Sequence, residues 1–275
     1  MAAGQDIGDT QAAGTAGAAG LVAGGYQCFQ PPPIDPAIHG DAADPAPPSL
    51  RVAAAATGDA DLAYLDSLDP DEALRQFSDD ELAALGRFVP SLLCGEESAV
   101  LIFAHESKRL GRQARKAMQA TLHGLAGEEE RHEIMLRAIS DWLPDSGDRA
   151  ETRDRARRFF FSFASSDPAL RLAHIAEIDS CVSITLGAMA KASKVARSEA
   201  FSRVVGRIRK DEARHVKICR RLLGEIGLED AEQAAAGDRV RGRFVELMTP
   251  MASAFETIGL DSDRLFRRIT RETVG

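Results

Sequence analysis

Two short stretches of this sequence place acids beside a histidine at the spacing of metal ligands. Residues 128–132 read Glu-Glu-Glu-Arg-His, and residues 211–215 read Asp-Glu-Ala-Arg-His. Each stretch contains Glu-x-x-His, with Glu129 and His132 in the first and Glu212 and His215 in the second. Residues three apart share one face of an α-helix, so each carboxylate and imidazole can bind one metal ion together. The two stretches therefore predict a metal site.

Both Glu-x-x-His pairs lie within apolar stripes. Apolar residues recur at steps of three and four before and after each pair, as on the buried face of a helix. A carboxylate in such a stripe costs several kcal/mol unless an opposite charge compensates it. Because a bound dication removes that penalty, the stripes favour metal binding over a surface ion pair.

Four long helices are predicted to position these pairs, over residues 90–110, 112–142, 168–195 and 198–224. A capping box at Ser78 and Glu81 opens a shorter helix to about residue 88, and Pro90 suits the first turn of the next one. Short connections predict two antiparallel hairpins, joined by a crossover of about 25 residues. Residues 229–275 are predicted to form two or three short helices, broken at Pro250.

The first and third long helices are expected to supply further carboxylates, Glu96 and Glu177. They lie 33 residues before Glu129 and 35 residues before Glu212, so each can return level with its partner along a hairpin. Glu97 stays open as a rival to Glu96. Asp179 lies about 200° around the helix from Glu177 and off its apolar stripe, which favours Glu177.

Two other residues share the face of Glu177. His174 is expected to support the site or to lie in the core rather than to bind metal. Cys181 is a candidate for the lining of an oxygen pocket, although small buried cysteines are common.

Over about residues 80–225 the pattern resembles the ferritin-like di-iron carboxylate superfamily. Gly95, the two glutamates after it and Phe103 resemble the first-helix signature of rubrerythrins and bacterioferritins, which favours Glu96 over Glu97. The resemblance implies an all-α fold: a ferritin-like four-helix bundle of two antiparallel hairpins with a long crossover, plus C-terminal helices. It also implies two metal ions held by six ligands: Glu96, Glu129, His132, Glu177, Glu212 and His215.

The paired acid-Glu-x-Arg-His motif resembles the oxygen-activating branch of that superfamily. In that branch the acid before each metal-binding glutamate holds the histidine of the other motif. The resemblance therefore implies that Asp211 orients His132 and that Glu128 orients His215.

Several members of the superfamily fit poorly. The only tyrosines, Tyr26 and Tyr64, lie outside the bundle region, which argues against a tyrosyl-radical subunit. The absence of any C-x-x-C pair argues against a rubredoxin module. The arylamine N-oxygenase type has a further histidine where Ile208 stands here.

The resulting expectation is a di-iron oxidoreductase that uses O2 to oxidise a small organic molecule by hydroxylation, N-oxygenation or oxidative cleavage. Two iron ions are expected, with Mn/Fe and Mn/Mn centres left open, together with an external electron donor. The alternative is a ferroxidase, peroxidase or manganese-catalase-like protein, and a third interpretation is a helical interaction module. An apolar cavity over the metals would favour the oxygenase.

Composition and charge predict the domain organisation, the partners and the compartment of this protein. The net charge is −8, and residues 1–50 hold five aspartates without a Lys or Arg. Ala, Gly and Pro make up 27 of those 50 residues, which predicts a disordered tail over 1–57 and a helical domain over 58–275. The acidic balance argues against nucleic acid, and no apolar run approaches the ~18 residues of a membrane span. Four isolated cysteines and the lack of a basic N-terminal region predict a cytoplasmic protein, and a homodimer stays open.

Overall fold

The computed structural model describes residues 59–112 and 116–271, with the side chains of 110–112 left out. That part of the chain is all-α and contains no strand. The tail expected over residues 1–57 lies outside the described residues. The described α-helices are α1 (Ala60–Asp66), α2 (Pro70–Leu74), α3 (Asp79–Arg112), α4 (Lys116–Trp142), α5 (Arg149–Phe161), α6 (Pro168–Met189), α7 (Glu199–Ile226), α8 (Asp230–Met248), α9 (Ala252–Thr257) and α10 (Ser262–Arg271).

Local capping explains where three of the long helices begin. The capping box is confirmed: the Ser78 backbone N–H donates to the Glu81 carboxylate, and the Glu81 N–H donates to the Ser78 hydroxyl. Asp167 caps α6 ahead of Pro168, and Ser198 caps α7 by accepting a hydrogen bond from a backbone N–H. These caps fix the start of each helix relative to its ligands.

Helix α3 differs from the expectation of two helices divided at Pro90. It runs through Pro90 without interruption, from Asp79 to Arg112. Proline inside a helix removes one backbone hydrogen bond and costs about 3 kcal/mol. Burial of Phe88, Val89, Leu92 and Leu93 around this turn offsets that cost.

The long helices pack in two pairs, α3 along α4 and α6 along α7, and α4 also contacts α7. Helix α1 lies against α4 and α7. The later helices cover the other side, since α8 packs on α5 and α6, α9 packs on α3, and α10 packs on α8 and α6. Every long helix is therefore held by at least two others.

The apolar core is divided into two parts, one on each side of the acid and histidine level. On α4, buried apolar residues within 118–126 belong to one part and those within 134–139 to the other. On α7, residues 201–208 and 219–223 are divided in the same way. Both Glu-x-x-His pairs fall in the intervals between these segments, so the polar site interrupts an otherwise apolar interior.

Two core helices are long and apolar enough to cross a membrane by composition alone. They are residues 79–109 of α3 and the whole of α6, and 61% and 67% of their most apolar segments are buried inside the protein. Core helices of soluble proteins pass the same test, so the feature is weak support for a membrane location.

A close approach at Gly86 generates a test of the packing between α3 and the chain after α4. A Cβ atom at this buried glycine would lie 2.7 Å from the Pro144 carbonyl oxygen. We expect Gly86→Ala to lower the free energy of unfolding by about 1–3 kcal/mol, measured by urea denaturation. Gly124→Ala is the matched control, because a Cβ atom there meets nothing within 4 Å. It should be neutral or stabilise by up to about 1 kcal/mol. Equal effects of the two substitutions would contradict the close approach.

Candidate metal centre

Six buried side chains from four helices form one cluster with two overlapping sets of ligand atoms. Within each set, one ligand atom per residue lies within 4.8 Å of all the others. Glu129 and Glu212 belong to both sets and so occupy the centre. The first set adds Glu96 and His132 to them, and the second adds Asp179 and His215. The arrangement has the form of two adjacent metal positions that share two carboxylates.

The structure corrects the expectation for α6. It places Asp179, and not Glu177, in the cluster. The Glu177 carboxylate instead accepts a hydrogen bond from Arg241 of α8. The reason is that the first half of α6 is buried on all sides, as the unbroken buried run from Leu172 to Glu177 shows. An apolar stripe therefore does not distinguish the face toward the cluster from the face toward α8.

On α3 the structure separates the two candidate glutamates. Glu96 belongs to the cluster, and its Oε2 lies 3.5 Å from Nδ1 of His132. Glu97 faces Arg137 and Arg153, with N···O distances of 2.9 Å to each. The sequence preference for Glu96 over Glu97 agrees with this placement.

Both histidines turn Nδ1 toward the cluster and Nε2 away from it. His132 Nδ1 lies 3.1 Å from Glu129, and His215 Nδ1 lies 2.9 Å from the other oxygen of the same carboxylate. On the far side, Nε2 of His132 is 3.3 Å from Asp211, and Nε2 of His215 is 2.7 Å from Glu128. An Nε2–H that donates to a carboxylate leaves the Nδ1 lone pair free to bind a metal. The crossed pairing implied by the family resemblance is therefore present in the geometry.

Two arginines of α7 connect the supporting acids to the surface. Arg214 donates to Glu128 at 2.7 Å and to Asp211 at 2.8 Å, and Arg207 donates to Asp211 at 2.7 Å. Burial would raise the pKa of Glu128, but His215 and Arg214 lower it to about 2. Both supporting acids therefore stay ionised at neutral pH and remain acceptors for the imidazoles.

Three of the central acids bind their protons more tightly than usual. Burial raises the pKa of Glu96 well above its ordinary value, and the neighbouring Glu129 carboxylate adds to the rise. Burial also raises the pKa of Asp179, with a contribution from Glu212, and that of Glu212, with a contribution from Glu129. The crowding of acids in an apolar interior is the common cause.

For the two imidazoles, neighbouring anions outweigh the effect of burial on the pKa. Burial would lower the pKa of His132, but Asp211 and Glu129 raise it well above its ordinary value. The same competition, with Glu128 and Glu129 as the anions, raises the pKa of His215 to about 11. Burial would raise the pKa of Glu129, yet the two imidazoles hold it below its ordinary range. Shared protons can thus hold these groups together, and bound metal ions would replace them.

Buried polar atoms without a hydrogen bond indicate whether the cluster fits metal ions. Oε1 of Glu129, Nδ1 of His215 and Oδ2 of Asp179 are buried and make no hydrogen bond within the described structure. The first two lie only 2.9 Å apart, close to the separation of about 3 Å between neighbouring ligands with metal bonds of ~2.1 Å. Glu129 Oε1 and His215 Nδ1 form a buried ion pair without a hydrogen bond, and Oδ2 of Asp179 has no hydrogen-bond partner among the described residues. Buried polar atoms are normally paired, so these donors fit a metal ion.

His174 and Cys181 take places away from the cluster. Nδ1 of His174 lies 3.2 Å from the Phe163 carbonyl oxygen, and its ring packs on the Phe163 ring. Cys181 is buried in the apolar core. The cysteine near the centre is Cys219, since the thiol pKa is raised by burial and by the charges of Asp179 and neighbouring acids. The position of Cys219 one turn after His215 was the available sequence signal.

An apolar cavity of about 40 Å³ lies directly on the cluster. Glu96, Glu129, Asp179 and Glu212 line its polar end, and the rest is largely apolar. Two hydroxyls of the cavity wall donate hydrogen bonds within the protein: Ser91 donates to the Met251 sulfur, and Ser98 donates to the Cys94 carbonyl. Its cover comes from the crossover and the C-terminal region: Phe160, Phe244, Leu247 and Met248.

The Glu177–Arg241 ion pair fixes the covering helix α8 over α6. Both side chains are buried, and Arg241 also donates to the exposed Asp238. Gly237 makes room for the arginine, because a Cβ atom there would lie 3.1 Å from the guanidinium. Glu177 therefore acts on the roof of the cavity rather than on the cluster.

Comparisons with protein-family models, with characterised proteins and with solved structures found no match to this chain. The case for a metal centre therefore depends on the residues and geometry of the chain itself.

The correction on α6 generates a paired test. We expect the wild-type protein to bind two Fe(II) or Mn(II) ions per chain and Asp179→Asn to retain only one tightly bound ion, measured by elemental analysis after anaerobic loading. Glu177→Gln is the control and should retain two ions. It should also lower the free energy of unfolding by about 3 kcal/mol, because Arg241 loses a buried partner. Loss of an ion in Glu177→Gln but not in Asp179→Asn would show that Glu177, and not Asp179, is the ligand on α6.

The crossed support of the histidines generates a second test. Glu128→Gln removes the charge that fixes the tautomer of His215, so we expect the affinity for Fe(II) to fall by about 10–100-fold in competition with a chromophoric chelator. Glu130→Gln is the matched control, because Glu130 is exposed on the same helix. A similar loss in both variants would show that general acidity, and not orientation of His215, governs affinity.

Proposed function

We propose that this chain is a ferritin-like di-iron oxygenase or oxidase, which uses O2 to oxidise a small organic molecule. In this proposal α3, α4, α6 and α7 are the four helices of the bundle, and α5 lies in the crossover. The observation that carries the proposal is the cluster of four carboxylates and two imidazoles under an apolar cavity.

The donor set suits two divalent ions of iron or manganese. Four carboxylates balance the charge of two dications, so the loaded centre would be neutral inside an apolar core. Mixed oxygen and nitrogen donors without a thiolate are typical of iron and manganese sites rather than of structural zinc sites. Two iron ions held there would supply the redox chemistry that O2 activation needs.

The chain itself orients and isolates the centre. Asp211 and Glu128 hold the imidazole Nε2–H groups, so both Nδ1 atoms face inward. The two parts of the apolar core lie on either side and exclude water, which strengthens every charge interaction in the site. In this proposal the site is shielded from water, and O2 and substrate reach it through the cavity.

The cavity limits what can react. Its walls offer the substrate little beyond apolar contact, so the reacting part of the molecule should be apolar. A volume of about 40 Å³ is room for roughly three water molecules at ~10–15 Å³ each. O2 fits directly, whereas an organic group requires the roof to yield, and Met248 in that roof is a flexible side chain.

The small volume favours one second candidate. A cavity of this size also takes hydrogen peroxide without any movement of the roof. Peroxide or metal handling, as in a peroxidase, a ferroxidase or a manganese-catalase-like protein, is therefore the alternative function.

The deciding experiment loads the full chain with Fe(II) without oxygen and then adds O2 with and without apolar candidate substrates. An oxygenase should consume O2 faster with a substrate and form an oxygenated product detectable by mass spectrometry with 18O2. Binding of no more than one ion per chain, or no reaction of the reduced protein with O2, would defeat the proposal. Rapid peroxide loss without any substrate would select the alternative.

Filling the cavity provides a further test. Ala99→Leu adds three carbon atoms to the cavity wall without changing a ligand, so we expect substrate oxidation to fall at least about 10-fold while two iron ions still bind. Ala196→Leu is the control, since Ala196 is exposed and does not line the cavity. Unchanged substrate oxidation in Ala99→Leu would show that the substrate does not use this cavity.

A further inference from the structure

A strongly basic groove lies on the outer face of α6 and α7. Its volume is about 440 Å³, and α10 contributes one side chain to its rim. No acid lines it, and the neutral residues around it are small or apolar. Five cationic side chains line it: Lys191, Arg209, Lys217, Arg220 and Arg268.

Three of these five cations are not neutralised by the part of the chain that the structure describes. Lys191, Arg209 and Lys217 are exposed and make no ion pair with any described residue. Other arginines of α7 behave differently, since Arg207 and Arg214 both pair with acids. A cluster of unpaired cations is unexpected on a chain of net charge −8 and indicates an acidic binding partner.

The groove lies directly behind the metal centre. Ser180, Ala213 and Val216 line it, and each immediately follows a cluster residue in the sequence. The wall between groove and cluster is therefore formed by α6 and α7 themselves. Since an α-helix is about 10–12 Å across with its side chains, the groove approaches the centre to within roughly one helix.

The proposed reaction needs electrons from outside. Oxygenation of an organic substrate follows O2 + RH + 2 e⁻ + 2 H⁺ → ROH + H2O. The substrate supplies two of the four electrons that reduce O2, and a donor must supply the other two. Electron transfer weakens steeply with distance, so a donor protein has to dock where the cover over the metals is thin.

We infer that the groove is the docking surface for an acidic one-electron carrier protein of the iron–sulfur or flavin type. The inference rests on the proposed function, and it adds the partner and its position. Opposite charges on the two proteins would steer the carrier to the thin wall and raise the association rate by 10–10³-fold at low salt. The cavity lies under α8, on the other side of the cluster from the groove. A carrier docked in the groove would therefore leave the substrate path free.

The test reverses two exposed groove charges in the full chain, Arg209→Glu with Lys217→Glu. The probe is a reduced, acidic plant-type [2Fe–2S] ferredoxin, mixed with the iron-loaded, oxidised protein in a stopped-flow spectrometer. We expect the second-order rate of ferredoxin oxidation to fall at least about 10-fold at low salt, and the difference to vanish near 1 M salt. Reduction by dithionite should not change.

The control carries the same change of charge away from the groove, Arg75→Glu with Lys108→Glu, both of which are exposed positions. Its rate should stay within about two-fold of wild type. Equal rates for the groove and control variants would overturn the inference. So would tighter, groove-dependent binding of a duplex DNA fragment than of ferredoxin.

A further variant tests whether the chain covers its own groove. Asp→Asn changes at Asp6, Asp9, Asp35, Asp41 and Asp44 remove the negative charge of the N-terminal segment. If they raise the ferredoxin rate at least 10-fold, the segment is the occupant and the inference is wrong. An unchanged rate supports the carrier.

Direct binding separates this inference from the proposed function. Ferredoxin binding to the metal-free chain is measured by titration calorimetry at low salt, where no redox reaction occurs. Binding that is lost only in the groove variant supports the docking surface even if the chain proves unable to reduce O2. Absence of binding to the wild-type chain overturns the docking surface even if the metal centre is active.

Discussion

The rest of the structure depends on one constraint, the burial of four carboxyl groups and two imidazoles at a single level of an apolar interior. None of the six residues is more than 4% exposed. Uncompensated, each ionised acid would cost several kcal/mol there. The fold must therefore supply opposite charge at short range, and it does so from imidazoles and shared protons in a cluster that could hold a metal ion.

The compensation is arranged outward from the centre in alternating charge. The central acids face the two imidazoles, the imidazoles face Asp211 and Glu128, and these acids face arginines at the surface. Each layer of charge offsets the free-energy cost of burying the next layer. Removing one member therefore leaves its neighbour buried without a partner. The motif acid-Glu-x-Arg-His contains most of these layers within five residues, which explains why it occurs once on each of α4 and α7.

Sequence patterns could predict whatever is encoded within one helix. The caps at Ser78, Asp167 and Ser198 and the facing of Glu129 and Glu212 depend on neighbours three or four residues away, and such spacings are readable in a linear sequence. The continuity of α3 through Pro90 could not be predicted in this way, because it depends on burial by other helices. The contribution of α5 to the cavity roof could not be predicted either, because Phe160 meets α8 from a distant part of the chain.

Helix α6 shows most clearly where sequence reasoning fails. An amphipathic helix identifies its inner face by contrast with a polar outer face, and the buried run 172–177 of α6 has no such contrast, since both α7 and α8 pack on this helix. Two acids on this helix are buried, and each needs a different partner: Asp179 faces the cluster, and Glu177 faces Arg241 of the roof helix. The choice between them depends on where Arg241 lies, 64 residues later. Helix α6 thus joins the acid and histidine cluster to the cover of the cavity, because Asp179 and Glu177 lie two residues apart on it.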